Sequence, residues 1–362
     1  MTIGERRMKI SVCLIVKNEE VVIERCLNSV VPFADEIIVT DTGSSDDTKK
    51  IAAKFTDKIY DFKWNDDFSL ARNYAFSKAS CDYLFWIDAD DVITEENAKK
   101  IVKIKSQKPF FDTYMFRYAI AFDKNDNAVF EYYRERLMKN CPSAKFCGFL
   151  HEAVVPFGKI TYGDVTIEHR KTKIGDPLRN LKIYEKHLAG GEKFHGRDQY
   201  YYAKELFYNG KYEKAKNELL QFIYGKTGYL PDLRDAYKTV YKCDKSLGIA
   251  TDEKFLAEAI ALTGADSEIF CDLGDVKAKK KDIKNALTFY KCAVCTDKPL
   301  PQDGFFETKF YYLEPLLRLV STYYKSGDIT SAKKYHEICV EKYPTAEETI
   351  YNSKFFCGSR VR

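Results

Sequence analysis

The chain has 362 residues, of which 45% are hydrophobic and 31% charged, and its formal net charge is +4. Two globular domains are expected at this length, since a domain usually holds roughly 150 residues. The net charge is too small and too evenly spread to indicate nucleic-acid binding. The 11 cysteines are scattered along the chain, which favours a reducing compartment over a secreted disulfide scaffold.

Neither export nor membrane insertion is predicted. The N-terminal segment MTIGERRMKISVCLIVKNEE lacks the apolar core and the cleavage site of a signal peptide. No apolar run in the sequence approaches the ~20 residues that cross a bilayer. We therefore expect a cytoplasmic protein.

The first half of the sequence alternates strand-like and helix-like segments. Residues 9–16 (KISVCLIV) form an apolar, β-branched run that is typical of a strand buried on both faces. This alternation predicts an α/β fold with a largely parallel sheet, which binds ligands beyond the carboxyl ends of its strands. The segments predicted after residue 16 are a helix over 19–30, a strand over 36–40, a helix ending at 55, a strand over 58–62, a helix over 69–80 and a strand over 83–87.

The second half, from about residue 200, has helical periodicity throughout. Three segments resemble one another, each with a helix, a polar turn and a second helix that carries an alanine: Ala215, Ala286 and Ala332. The first two alanines are separated by about twice the ~34-residue period of tetratricopeptide repeats. We therefore predict an all-helical repeat domain, with a plain helical bundle as the alternative.

Four polar clusters follow predicted strands of the first half: KNEE at 17–20, DTGSSDDT at 41–48, WNDDFSLARN at 64–73 and DADD at 88–91. Asp41 can accept a hydrogen bond from a pyrimidine ring, although the same cluster also suits a helix cap. Arg72, at a helix start, suits a phosphate or a surface ion pair. The carboxylates of the last cluster repel one another unless a cation lies among them, which suits Mg²⁺ or Mn²⁺ on a diphosphate.

Taken together, these clusters resemble the family 2 glycosyltransferases with the GT-A fold, and more narrowly the subgroup with the pattern KNEE … DTGSxDxT … W.DDF..ARN.A … DAD. The resemblance covers roughly residues 9–190, and Asp91 stands where a Glu is frequent. The subgroup includes bacterial enzymes that glycosylate peptides on cysteine and others that add sugars to lipopolysaccharide cores, and some similar proteins end in tetratricopeptide repeats. We accordingly predict a catalytic domain at 1–195 and a repeat domain at 196–362. The later matches are Arg136-Leu137, Lys139-Asn140, Gly148, His151-Glu152, His169 and Arg179-Asn180.

The resemblance also implies a role for each matching residue. Glu152 is the implied general base of an inverting transfer, and His151 is the rival candidate. A Mg²⁺ or Mn²⁺ ion is implied at Asp90, Asp88 and His169. Binding of the nucleotide-sugar is implied for Asn18, Glu19, Asp41, Arg72, Asn73 and Asp88.

The leading functional hypothesis is transfer of a sugar from a UDP-sugar to a peptide or protein side chain. The repeat domain would recognise the polypeptide or form a homodimer. One alternative is the same chemistry on a cell-envelope saccharide, and another is a non-catalytic repeat adaptor. The intact carboxylate clusters argue against the adaptor. A nucleotidyltransferase is disfavoured because DTGSSDDT is a poor glycine-rich phosphate loop.

Overall fold

A computed structural model of the chain describes residues 7–356, except residues 125, 127, 173–175, 226–227 and 300–305. The chain divides into two compact units, Met1–His187 and Leu188–Arg362. The domain boundary after residue 195 remains a prediction. Among the described residues, every helix is either too short or too polar to span a bilayer.

The first unit is built on an eight-stranded mixed sheet. Its strands are β1 (Ile10–Val16), β2 (Glu36–Asp41), β3 (Ile59–Asp61), β4 (Tyr83–Trp86), β5 (Asp91–Val92), β6 (Thr113–Phe122), β7 (Ala128–Lys139) and β10 (Ile160–His169). They lie in the order β3-β2-β1-β4-β7-β6-β10-β5, and the pairs among β3, β2, β1 and β4 are all parallel. The strand β7 runs antiparallel to both of its neighbours. A separate two-stranded sheet pairs β8 (Phe146–Cys147) with β9 (Ala153–Val154).

Strand β1 is buried on both faces, as its apolar run predicts. Ile10, Val12 and Leu14 pack in one core cluster, while Cys13 packs in a second cluster with Trp86. Residues that alternate along a strand point to opposite faces, so one strand contributes to both layers. The sheet is therefore covered on both sides, which confirms the predicted α/β architecture.

The helices of the first unit are α1 (Ile23–Val30), α2 (Thr48–Ala52), α3 (Phe68–Ser77), α4 (Glu95–Ile104) and α5 (Arg179–Ala189), whose last two residues belong to the second unit. Helix α1 begins four residues later than predicted, because the preceding turn holds Asn18 at φ +56° and bonds the Glu19 N–H to the hydroxyl of Thr48. Helix α2 ends at Ala52 rather than at residue 55. Asp67 caps α3 by accepting a hydrogen bond from the Leu70 N–H at 2.9 Å.

The second unit is helical over its described residues, which confirms the predicted change of fold class. Its helices are α6 (Gly196–Tyr208), α7 (Tyr212–Gly225), α8 (Leu230–Leu247), α9 (Glu253–Thr263), α10 (Ser267–Lys279), α11 (Ile283–Val294), α12 (Leu313–Lys325), α13 (Ile329–Lys342) and α14 (Glu347–Phe356), with a short 3₁₀ helix at Thr308–Tyr311.

Three of the helical hairpins repeat one local pattern. The alanines Ala215, Ala286 and Ala332 are each the fourth residue of their helix, and all three are fully buried. Two residues before each of these helices the backbone is left-handed, at Gly210, Lys281 and Gly327. Small buried residues let two helices approach closely, and a left-handed residue reverses the chain between them. The sequence similarity of the three segments therefore reflects a repeated helix-turn-helix unit.

Candidate active site

A cavity of about 790 Å³ lies in the first unit, at the carboxyl ends of β1 and β4. Because β1 has β2 on one side and β4 on the other, the chain order changes direction at this place, where open α/β sheets bind ligands. Lys17 and Glu19, which follow β1, line the cavity together with Asp88 and Asp90, which follow β4. The predicted site residues Arg72, His151, Glu152 and His169 line it as well.

The loops after β1 and β2 are joined by side-chain hydrogen bonds. Asn18 Oδ1 accepts from the Ser45 N–H at 2.8 Å, and the Asn18 N–H donates to the Ser44 hydroxyl at 2.9 Å. Asp41 Oδ2 accepts from the N–H groups of Gly43 and Ser44, at 3.0 and 2.9 Å. Asn18 and Asp41 thus shape the loops beside the cavity, and their contact with a nucleotide remains a prediction.

Arg72 joins two of the predicted site carboxylates. It projects from α3, and its Nε donates to Glu152 Oε1 at 2.6 Å while its Nη2 donates to Asp88 Oδ1 at 2.7 Å. Its guanidinium carbon lies 4.7 Å from the centre of the Trp86 ring, and the side chain is buried. The phosphate contact predicted for Arg72 remains a prediction, since in this structure its partners are carboxylates.

The pKa of Asp88 reflects this pairing. Burial alone would raise the pKa, but the positive charges of Arg72 and Arg136 outweigh burial and lower the pKa to about 2. Burial would likewise lower the pKa of Arg72, yet Asp88 and Glu152 raise it. The pair is therefore ionised over the whole physiological pH range.

Asn73, the neighbour of Arg72, forms hydrogen bonds to the backbone of Phe146. Its Nδ2 donates to the Phe146 carbonyl and its Oδ1 accepts from the Phe146 N–H, both at 2.9 Å. These two bonds fix α3 to β8, and Asn73 is not among the residues that line the cavity. The contact between Asn73 and the nucleotide-sugar, which the resemblance implies, therefore stays a prediction.

Asp90, Asp91 and His169 form a potential cation site, because one ligand atom from each lies within 4.8 Å of the others. His169 Nδ1 is 3.1 Å from Asp91 Oδ1 and 3.5 Å from Asp90 Oδ1. The sequence predicted Asp88 in place of Asp91. In this structure the Asp88 carboxylate is paired with Arg72, while Asp91 lies on the short strand β5 beside β10, and the role of Asp88 as a metal ligand remains a prediction.

Both Asp90 and His169 have shifted pKa values. Burial raises the pKa of Asp90, and Asp88 and Asp91 raise it further against the opposing charge of His169. Burial would lower the pKa of His169, but the hydrogen bond to Asp91 and the charge of Asp90 raise it. The carboxylates at this edge thus repel one another as the sequence suggests, and a cation relieves repulsion of this kind.

Glu152 and His151 lie in the turn between β8 and β9. The Glu152 side chain is nearly buried beside Arg72, and its carbonyl oxygen accepts from Arg134 at 3.1 Å. His151 has a left-handed backbone at φ +53°, which is uncommon for a residue other than glycine. The turn therefore presents two adjacent proton acceptors to the same cavity.

Sequence reasoning matched Arg136 to the family without giving it a role, and it missed Arg134 and the Trp86 ring that both arginines contact. Three guanidinium groups contact the Trp86 ring. The guanidinium carbons of Arg72, Arg134 and Arg136 lie 4.7, 4.8 and 3.7 Å from the ring centre. Arg134 and Arg136 reach Trp86 because β7 lies antiparallel beside β4. A strand pairing between residues some 50 positions apart leaves no local signal in the sequence. The available signals were the family match at Arg136 and the charged run RER that opens RERLMK.

Comparison with known proteins matches residues 11–157 to the family described as Glycosyl transferase family 2. A TPR repeat-containing protein from Synechococcus elongatus is 34% identical over 155 residues, which are 42% of this chain and 37% of that protein. The SPbeta prophage-derived glycosyltransferase SunS of Bacillus subtilis is 43% identical over 100 residues, 27% of this chain and 24% of SunS. The chain thus spans between 24% and 37% of the length of these relatives.

Among solved structures, S. aureus TarS 1-349 in complex with UDP-GlcNAc is 14% identical, with 91% of each chain covered and a TM-score of 0.38. A similarity of this size does not establish a common function. The family match agrees with the GT-A fold that the sequence resemblance implies.

Proposed function

We propose that this chain, which carries a glycosyltransferase family 2 domain over residues 11–157, transfers a sugar from a UDP-sugar to a peptide or protein side chain. One observation carries the proposal: Asp88, Asp90, Glu152 and His169 converge on a single cavity at the carboxyl ends of β1 and β4. A cation site and a proton acceptor in one cavity are what transfer from a nucleotide diphosphate requires.

The donor nucleotide would bind along the ends of β2 and β1. Asp41 is buried at the end of β2, and its Oδ1 has no hydrogen-bond partner among the described residues. A buried acceptor atom without a partner is costly, and a uracil N–H would satisfy it. Thr42 and Lys17 line the cavity next to this position. This supports a nucleotide whose base carries a ring N–H, such as UDP, as the donor's carrier.

A Mg²⁺ or Mn²⁺ ion would be held by Asp90 and His169, with Asp88 beside them. The residues fit such an ion, since carboxylate oxygens suit both cations, and burial together with the charges of Asp88 and Asp91 raises the pKa of Asp90. A bound divalent cation neutralises charge on a diphosphate leaving group.

Glu152 would act as the general base. It accepts the proton of the acceptor group as that group's heteroatom forms a bond to the anomeric carbon, and the bond from this carbon to the diphosphate oxygen breaks. Arg72 fixes the orientation of Glu152 through the 2.6 Å bond to Oε1. A single displacement of this kind inverts the anomeric carbon and needs one base only. His151 is the alternative acceptor of the proton, because it lines the same cavity.

A polypeptide acceptor is supported by the subgroup that the sequence motifs resemble, which includes enzymes that glycosylate peptides on cysteine. The helical hairpins of the second unit suit the binding of an extended polypeptide, because stacked repeats present continuous surfaces. A saccharide acceptor and a non-catalytic adaptor are the outcomes that the following experiment separates from this proposal.

The test is an assay of the full chain with Mn²⁺ and a panel of UDP-sugars, offered either a peptide library or bacterial oligosaccharides. We expect a mass increase of one sugar on peptides, detected by mass spectrometry, and no increase with Glu152→Gln. Sugar transfer to oligosaccharides and not to peptides would show that the acceptor is a saccharide rather than a polypeptide. Binding of UDP-sugars without any transfer would favour the adaptor.

A further inference from the structure

Asp91 lies beneath the cavity rather than on its surface. Its side chain is fully buried and is not among the lining residues, whereas Asp90 and His169 are. From the contacts described below, we infer that Asp91, Tyr118 and Arg136 are positioning residues, which orient His169 and the turn at Asp90 for a divalent cation. The inference rests on the proposed function, because it concerns the same cation site.

Both carboxylate oxygens of Asp91 already have partners. Oδ1 accepts from the Tyr118 hydroxyl at 2.9 Å and lies 3.1 Å from His169 Nδ1. Oδ2 accepts from Arg136 Nη1 at 3.0 Å and from the Asp88 N–H at 3.2 Å. A carboxylate accepts about four hydrogen bonds, so Asp91 has little capacity left for a metal ion. The same bonds tie the turn after β4 to β6, β7 and β10.

His169 is oriented by two of these groups. Its Nδ1 faces Asp91 Oδ1 and also the Tyr118 hydroxyl, which is 2.9 Å away. A carboxylate can only accept, so the Nδ1 atom carries a proton and the lone pair of a neutral ring is on Nε2. Histidines that bind metals usually donate their second N–H to a carboxylate in this way. Asp91 therefore selects the tautomer in which Nε2 is available to a cation.

Arg136 holds Asp91 in place. Its guanidinium carbon lies 3.7 Å from the Trp86 ring centre and 4.2 Å from that of Tyr118, and both members of the Arg136–Asp91 pair are fully buried. Nε and Nη2 of Arg136 have no hydrogen-bond partners among the described residues. Removing two charges from water costs free energy that their attraction barely repays, so a buried ion pair adds little net stability. We therefore infer that the Arg136–Asp91 pair serves to align the Asp91 carboxylate.

The first test compares Mn²⁺ affinity, measured calorimetrically on the full chain in the presence of UDP, for Tyr118→Phe and Tyr114→Phe. Both variants remove a buried tyrosine hydroxyl from β6, but Tyr114 bonds to the Phe111 N–H and does not line the cavity. Loss of an outer contact to a metal-binding histidine typically lowers affinity by about 10- to 100-fold. We expect a loss of that order for Tyr118→Phe and none for Tyr114→Phe. Equal Mn²⁺ affinity in both variants would overturn the inference.

A second pair of variants separates positioning from direct ligation. Asp90→Asn should abolish Mn²⁺ binding, whereas Asp91→Asn should weaken it and leave it measurable. If Asp90→Asn and Asp91→Asn both lose Mn²⁺ binding completely while Tyr118→Phe still binds Mn²⁺, Asp91 is a ligand and the inference is wrong. Thermal unfolding of each variant shows whether a loss reflects unfolding, and Tyr118→Phe still decides the matter if Asp91→Asn does not fold.

The tautomer of His169 gives a readout that needs no metal. The chain has five histidines, so their side-chain nitrogens can be assigned by ¹⁵N NMR with His169→Gln as reference. Above the pH at which His169 titrates, we expect the proton on Nδ1 in the wild type and a shift of proton population toward Nε2 in Tyr118→Phe. A wild type with its proton on Nε2 contradicts the inference. A wild type that binds no Mn²⁺ but has the Nδ1–H tautomer counts against the proposed function alone.

Discussion

The two units bury charged side chains in different ways. In the first unit, Arg72 is shared between Asp88 and Glu152, and all three line one cavity. In the second unit, Lys238 of α8 lies 3.0 Å from Glu268 and 3.6 Å from Asp266, and the three side chains are at most 2% exposed. The charged groups of the first unit face a cavity that a ligand can enter. Those of the second unit form ion pairs with one another between packed helices. Burial of charge alone therefore does not identify a site, whereas convergence on a cavity does.

Two carboxyl groups, the half-buried Asp88 and the buried Asp232, show the same contrast. The pKa of Asp88 is lowered to about 2, because Arg72 at 2.7 Å overcomes the effect of burial. Burial raises the pKa of Asp232 to about 6, since its partner Arg197 is 3.7 Å away and half-exposed. An ion pair with close geometry outweighs desolvation, and a loose one does not.

The largest effect is expected for the proposed base. Glu152→Gln keeps the shape of the side chain but removes its ability to accept a proton, so turnover should fall by about 10²- to 10⁴-fold while UDP binding is retained. Steady-state rates and UDP affinity check this, with Glu96→Gln on the exposed face of α4 as the control. Unchanged turnover would transfer the role to His151.

A buried charge of the second unit should affect stability instead. Lys238→Ala leaves Asp266 buried without its cation and leaves Glu268 paired with Lys242 alone, which we expect to lower the free energy of unfolding by about 3 kcal/mol. Urea unfolding followed by circular dichroism measures this cost, and the exposed Lys245→Ala on the same helix should change little. Loss of UDP binding in a folded Lys238→Ala protein would contradict the contrast between the two units.

A smaller, pH-dependent effect is expected at Asp232. Its folded-state pKa of about 6 lies above the ordinary aspartate pKa of about 3.9, so its stabilising contribution is complete below pH 4 and is lost as the pH rises through 6. Asp232→Asn should therefore be more stable than the wild type at pH 7.5, by at most about 3 kcal/mol, and the difference should shrink at pH 5. Unfolding curves at both pH values test this, with Asp297→Asn as an exposed control. A difference independent of pH would show that Asp232 does not titrate as described.

The sequence was sufficient to predict features that depend on local patterns. The run at residues 9–16 predicts a strand buried on both faces, and β1 is such a strand. The alanines Ala215, Ala286 and Ala332 predict repeated helices, and each is fully buried at the same helical position. Strand-end carboxylates such as Asp90 follow from the same logic, because parallel strands place their ends at one edge.

Features that depend on distant pairings were not predictable. Asp91 meets Tyr118 and His169, which are 27 and 78 positions away along the chain, only because β5, β6 and β10 share a sheet. Asn18 and Asn73 matched the family's motifs, yet their side chains bond the backbone of Ser45 and Phe146. A motif gives the residue type at a position, whereas the direction of its side chain depends on the tertiary fold.

We expect the cavity of the first unit to bind a nucleotide together with a cation held at Asp90. The most direct measurement is calorimetric binding of UDP, with and without Mn²⁺, to the wild type and to Asp90→Ala. We expect tight binding by the wild type only when Mn²⁺ is present, and its loss in the variant. Absence of UDP binding by the wild type under every metal condition, or equal binding by both proteins, would contradict a nucleotide and cation site in this cavity.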